Sequence, residues 1–139
     1  MIILDTNVIS AFMVLAPEKA VMDWIAEHHY TSLYTTSITQ AEIMTGIELL
    51  AVGKKRKLLT SACEKVFAED FKDRILDFDS SAAQEFSIIY AARKKAGQNI
   101  GIADAQIAAI ALAHNAALAT RNTKDFKHCG IKLINPWKA

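Results

Sequence analysis

Ile2-Ile3-Leu4-Asp5-Thr6-Asn7 reads as a short strand that ends abruptly in polar side chains. A continuous apolar run, without alternation, is the pattern of a strand covered on both faces. It returns near the other end of the chain, where Ala116-Ala117-Leu118-Ala119 runs into Thr120-Arg121-Asn122. Between these two, Leu33-Tyr34-Thr35-Thr36 and Ile75-Leu76-Asp77-Phe78 fit a second and a third strand, and Ile131 to Ile134 fits a last one.

The intervening segments carry helical periodicity. Pro17 is predicted to open a helix through about His29, with Val21, Trp24 and Ile25 on its apolar face. Ser37 starts the next, where Gln40 three residues on completes a capping-box pattern, and that helix runs to about Val52 and stops at Gly53. The basic run Lys54-Lys55-Arg56-Lys57 begins another, reaching about Phe71. Ser80 or Ser81 caps a long helix whose end, Lys95-Ala96-Gly97, supplies the basic residues and glycine a helix C-terminus favours. From Ala103 to Asn115 the chain is nearly all alanine, isoleucine and leucine, which predicts a helix buried on most of its surface. A helical turn follows at Thr123 to Phe126. Strands alternating with helices predict a single three-layer α/β/α domain over residues 1–139 with a mainly parallel central sheet.

Composition narrows the class of molecule. Apolar residues at 52% and charged residues at 22% suit a globular chain rather than a disordered one. The apolar run after Met1 is too short for a signal peptide and has no basic flank, and no stretch approaches the roughly 20 apolar residues of a membrane helix. Cys63 and Cys129 lack metal-ligand spacing and read as incidental thiols, so a cytoplasmic protein is expected. A net charge of +1 neither requires nor excludes a nucleic-acid partner, because local patches do the binding.

Open parallel sheets bind ligands beyond the carboxyl ends of their strands, near the point where strand order reverses. Asp5 stands at that end of the first strand, and Thr120 and Asn122 at that end of the fourth. Each acid has an ordinary explanation. Asp5 could terminate a strand or cap a helix, Asp104 could complement the dipole of its helix, and Asp125 could be a surface acid. On a helical wheel of about 100° per residue, Glu42 shares a stripe with Ile38 and Leu49 that should face inward, beside space left by Gly46, or it lies at the edge of that stripe with its head in water. Several carboxylates converging on one sheet edge would raise each other's pKa unless a cation neutralised them. Oxygen-only ligands favour Mg²⁺ or Mn²⁺ over Zn²⁺. A carboxylate-held Mg²⁺ can acidify a water and set it in line with a phosphodiester. The four histidines, His28, His29, His114 and His128, sit at helix ends or in a loop at no ligand spacing.

Four motifs now stand in order: Ile3-Leu4-Asp5-Thr6-Asn7-Val8-Ile9, Thr39-Gln40-Ala41-Glu42-Ile43-Met44-Thr45-Gly46, Ile102-Ala103-Asp104-Ala105-Gln106-Ile107-Ala108 and Ala119-Thr120-Arg121-Asn122-Thr123-Lys124-Asp125-Phe126. The chain resembles the VapC-type toxins of the PIN-domain family along its whole length. Asn135-Pro136-Trp137 and the insertion from Lys54 to Lys57 are most similar to the FitB branch. The resemblance implies an endoribonuclease acting on structured or transfer RNA, a Mg²⁺ or Mn²⁺ site, a homodimer, and inhibition by a cognate antitoxin. It matches Asp5, Glu42 and Asp104 to the family's acidic triad and Thr120 to a hydroxyl that orients the first aspartate. Relatives carry a fourth acid either where Asn122 stands or where Asp125 stands. Asp125 is therefore expected to complete the metal site, directly or through water, with Asn122 orienting it or the substrate. Met13, Val14 and Leu15 form an apolar run suited to a dimer contact.

The basic runs Lys54 to Lys57 and Arg93-Lys94-Lys95 could track phosphates or be solvated helix ends. Trp24, Tyr30, Tyr34 and Trp137 read as core or dimer contacts rather than base-stacking platforms. A haloacid-dehalogenase-like phosphatase would need a second carboxylate where Asn7 stands, and a response-regulator receiver an acidic pair and a late lysine that are missing. The non-enzymatic alternative is an inactive PIN fold serving as a binding module in an antitoxin or DNA-binding complex, against which the intact Asp5, Glu42 and Asp104 argue.

Overall fold

The computed structural model describes residues 1–139. Its centre is a five-stranded, wholly parallel sheet of β1 (Ile2–Leu4), β2 (Leu33–Thr36), β3 (Ile75–Leu76), β4 (Ala117–Ala119) and β5 (Leu133–Ile134) in the order β3-β2-β1-β4-β5. β1 is central. It pairs with β2 through Ile2 and Leu33 on one side and with β4 through Leu4 and Ala119 on the other. Because side chains alternate across a strand, Leu4 and Ile3 enter different cores. Leu4 joins Val8, Ile9, Val21, Trp24, Ile43 and Ile47 on one face, and Ile3 joins Ile89, Ile107, Ile110 and Phe126 on the other.

Helices α1 (Thr6–Phe12), α2 (Lys19–Ala26), α3 (Ser37–Glu48) and α4 (Lys54–Glu64) cover the first face, and α5 (Ser80–Lys95) and α6 (Ile102–Ala113) cover the second. α6 is buried from Ile107 through Ala111, as its composition predicts. Just past its end Asn115 takes φ +51°, a left-handed turn that asparagine tolerates. Alternation of strand and helix, the layer count and the parallel sheet match the sequence expectation.

Several boundaries differ. α1 was not expected. Thr6, Asn7, Val8 and Ile9 are weak helix formers, and the short helix is held by burial of Val8 and Ile9 rather than by propensity. α2 starts at Lys19 rather than Pro17, α3 ends at Glu48 rather than near Val52, and β3 and β5 are two residues each. Thr36, not Ser37, caps α3, accepting from Thr39 N at 3.1 Å. Asp79, not Ser80 or Ser81, caps α5, accepting from Ala82 N at 3.0 Å. The helix from Lys54 reaches its expected end by passing into a π-helical turn, Lys65–Asp70.

The basic runs divide. Lys54, Lys55 and Lys57 are exposed and Arg56 pairs with Glu48 at 2.8 Å. Arg93 leaves the phosphate-tracking set altogether. It is buried, and its guanidinium donates to the carbonyl oxygens of Gln98 (3.0 Å), Asn99 (3.2 Å) and Lys127 (2.6 Å). Arg74 plays a similar part on the opposite face, donating to the carbonyls of Tyr30, Leu33 and Asp70 while lying over the rings of Tyr30 and Phe71. Val14 and Leu15 project into solvent, Leu15 with 94% of its surface exposed. Cys63 and Cys129 are buried free thiols. No helix is long and apolar enough to cross a membrane.

Replacing Arg93 by methionine keeps the aliphatic stem but leaves three carbonyls without their donor. Unfolding in urea is expected to show a loss of about 3 kcal/mol, and a change within 0.5 kcal/mol or so of zero would mean that water replaces the guanidinium.

Candidate active site

The chain leaves β1 for β2 and β3 on one side and returns to β4 and β5 on the other, so strand order reverses between β1 and β4. Asp5 sits at that crevice. Its N–H continues the β1–β4 pairing by donating to Ala119 O at 2.9 Å, and its carbonyl accepts from Val8 N and Ile9 N as α1 begins. One carboxylate oxygen, Oδ1, accepts from Thr6 N at 2.8 Å, so Asp5 does cap a helix. The other, Oδ2, accepts from Thr120 Oγ1 at 2.7 Å and Asn7 Nδ2 at 3.1 Å. Capping and site-building are therefore one arrangement. Burial raises the Asp5 pKa, the hydrogen bonds from Thr120, Thr6 and Asn7 pull it back, and the charge of Glu42 adds to the rise.

Asn7 and Thr6 hold the site together, and sequence reasoning missed both. Asn7 also accepts from Arg121 N at 3.1 Å, and Thr120 Oγ1 accepts from Asn122 N at 3.1 Å, so the ends of β1 and β4 are cross-tied. Thr6 Oγ1 donates to Glu42 Oε1 at 2.7 Å and lies 3.0 Å from Thr39 Oγ1. The available clue was position: both residues follow Asp5 directly at the strand end.

Glu42 reaches the site by a different route from the one its helical wheel suggested. The inward face of α3 is Thr39, Ile43 and Ile47, while Glu42 is exposed and Leu49 is almost fully so. Taking Leu49 as a core anchor rotated the wheel. Space beside Gly46 is indeed open.

Asp104 stands in the first turn of α6, whose N-cap is Gly101 with no side-chain capping bond. Its half-buried carboxylate accepts no hydrogen bond from the protein, and burial, followed by the charges of Asp5, Glu42 and Asp125, pushes its pKa up to about 6. Asp125 lies exposed in the 3-10 turn Thr123–Phe126, off the pocket wall but near enough for its charge to be felt by Asp104.

Asp5, Glu42, Asp104 and Asn122 line one open cavity of about 630 Å³, with Thr120 beneath Asp5. Glu18, Arg121 and Trp137 also belong to its wall; Trp137 is a core contact, as expected, and a pocket residue as well. Trp24 is core, Tyr34 is partly buried, and Tyr30 is exposed beside Arg74. His28 bonds to Trp24 O and His29 to Thr31, away from the acids. No three acidic or histidine side chains are already drawn into a cage for an ion. An oxygen-only set at the mouth of an open cavity fits a hydrated divalent cation such as Mg²⁺, which keeps several of its waters and takes only one or two carboxylates directly.

The family model described as PIN domain matches residues 2–132. The chain is 42% identical to plasmid stability protein StbB of Pseudomonas syringae pv. tomato over the whole of both chains. It is 38% identical to VapC ribonuclease Y4jK of Sinorhizobium fredii and 37% identical to toxin FitB of Neisseria gonorrhoeae, each over 99% of both chains. Among solved structures it is similar to FitAcB from Neisseria gonorrhoeae, with a TM-score of 0.91 and 37% identity over all of both chains. VapBC2 from Rickettsia felis, bound to a DNA fragment from its promoter, follows with a TM-score of 0.81 and 26% identity over 97% of this chain and 98% of that one.

The raised Asp104 pKa has a sign that can be tested. A carboxyl whose folded pKa lies above its unfolded value holds its proton better in the native state, so stability falls as pH rises from about 4 through about 6. In chelator, Asp104→Asn should therefore stabilise the protein at pH 7.5 and not at pH 4. Discounted for the part of the side chain that water screens, the gain is about 1 kcal/mol, or about 3 °C in Tm. Equal shifts at both pH values would refute it.

Proposed function

The chain belongs to the PIN-domain family, in its VapC-type toxin branch, and from that membership we propose that it is a divalent-metal-dependent endoribonuclease, the toxin of a toxin–antitoxin pair acting in the cytoplasm. One observation carries the proposal: Asp104, half-buried and without a hydrogen-bond donor, faces the charges of Asp5 and Glu42 across a common cavity. Such a group is left destabilised unless something positive enters.

Asp5, Glu42 and Asp104 would hold Mg²⁺ or Mn²⁺, Asp125 would act through water, and Asn122 would orient that water or the substrate. A cation bound there would acidify a water and offset charge on the phosphodiester and its leaving oxygen. Thr120 and Asn7 fix Oδ2 of Asp5, and Thr6 fixes one oxygen of Glu42, so two of the three acids are oriented before anything binds. Asp104 is the group free to swing, and it can also take up a proton near pH 6 when no cation is present.

Purified protein should cleave total RNA with Mn²⁺ or Mg²⁺ and not in excess chelator. Asp5→Asn and Asp104→Asn should each lower the rate at least a hundredfold, about 2.7 kcal/mol. Asp125→Asn should cost about tenfold, about 1.4 kcal/mol, and Asn122→Asp should be tolerated. Full activity in chelator would falsify the metal assignment. Wild-type cleavage by Asp125→Asn beside a dead Asn122→Ala would reverse those two roles.

The partners follow from charge and exposed apolar surface. The FitAcB and VapBC2 likenesses support an antitoxin partner, and an arginine from it could pair with the acids in place of the metal. The exposed Val14 and Leu15 support a homodimer. Light scattering should give the mass of two chains; a monomer would sink that part.

A further inference from the structure

Arg121 is the only basic side chain in the wall of a cavity whose other charged residues are Asp5, Glu18, Glu42 and Asp104. Its guanidinium carbon lies over the Trp137 ring, 4.9 Å from the ring centre, a cation–π arrangement. Its Nη1 is 3.8 Å from Glu18 Oε1, at the outer limit of an ion pair, and both side chains are more than half exposed. An exposed pair at that distance contributes little. The contact with the ring is the firmer constraint: Trp137 packs against the core, and its backbone N–H donates to Asn135 Oδ1 at 3.0 Å. The arginine's own backbone is fixed as well, since its N–H donates to Asn7, whose amide holds Asp5.

A flat guanidinium, pre-positioned on an indole and weakly held by a distant carboxylate, is suited to bidentate capture of a phosphate. Resting on the nuclease function proposed above, we infer that Arg121, backed by Trp137, is a subsite for a backbone phosphate of the RNA adjoining the phosphodiester to be cut, and that Glu18 occupies the guanidinium until RNA displaces it. The subsite also meets an electrostatic need. The cavity's acids repel a polyanion, and apart from a bound cation only Arg121 among the lining residues can attract one. A tryptophan expected to serve only as a core or dimer contact thereby sets the orientation of a substrate-binding group.

Binding can be separated from cleavage in an Asp5→Asn background with Mg²⁺ present, by fluorescence anisotropy of a labelled, unstructured mixed-sequence oligoribonucleotide over a range of salt. Adding Arg121→Ala should weaken binding at least fivefold and make the log–log salt slope shallower by about 0.7, the contribution of one phosphate contact on a single strand. Arg121→Lys should keep the slope while binding more weakly than arginine. Glu18→Gln should bind about twofold tighter or better, because the competing carboxylate is gone. An unchanged slope in Arg121→Ala overturns the subsite and leaves the nuclease assignment standing. Unaltered or weaker binding by Glu18→Gln overturns the displacement step. If the parent binds no RNA under any salt, both the nuclease assignment and the subsite fail. Arg121 and Glu18 are surface side chains, so melting curves of the three variants should lie close to the parent's.

Discussion

A carboxylate buried at the seam between two central strands is the constraint around which this molecule is organised. Asp5 is almost wholly removed from water, and an ionised group in that position is tolerated only when its oxygens are satisfied. The donors come from three places: the first amide of α1, the side chain of Asn7 on the same helix, and the hydroxyl of Thr120 at the end of β4. Residues far apart in sequence must therefore meet before the charge is stable. The pairing of Leu4 with Ala119 and the hydrogen bond from Asp5 N to Ala119 O bring them together. Fold and site are one construction here, because the contacts that close the sheet also orient the acid.

The neighbouring acids are treated unequally, and the inequality has chemical content. Glu42 is steadied by Thr6, whereas Asp104 has no protein donor and bears the charges of Asp5, Glu42 and Asp125. Like charges gathered without a counter-ion destabilise the empty protein. Under the proposed reading that cost would be recovered on cation binding, and the affinity of the site would then depend on the fold's refusal to relax. The hydroxyl of Thr120 and the N–H donors of Thr6 and Asn7 together prevent the simplest relaxation, a rotation of the Asp5 carboxylate away from the others.

Much of this was legible in the chain. Strand and helix alternation survived because the apolar runs of β1 and β4 and the alanine-rich α6 admit few other structures, and the strand ends carrying Asp5 and Thr120 were located by the same runs. α1 was not legible, since its residues favour other conformations locally and form a helix only against the core. The orientation of Glu42 failed for a related reason: a wheel anchored on Leu49 assumed burial, and Leu49 faces solvent. Arg93 looked like part of a basic helix end, which is what such a run ordinarily means, but three carbonyls converge on it from loops whose position no local pattern encodes.

That arginine has a dynamic consequence. Its guanidinium joins the loop at Gln98 and Asn99, which leads into α6 and Asp104, to the backbone at Lys127, which follows the turn bearing Asp125. Neither loop can open while the other stays closed without exposing a buried cation or stranding carbonyls. The two therefore behave as one cooperative unit in native-state fluctuations, and amide protons on both should become exchangeable in the same opening event. Two segments about 30 positions apart, one leading to Asp104 in the pocket wall and the other following the turn of Asp125, are in this way kept in step by a residue that never reaches the pocket.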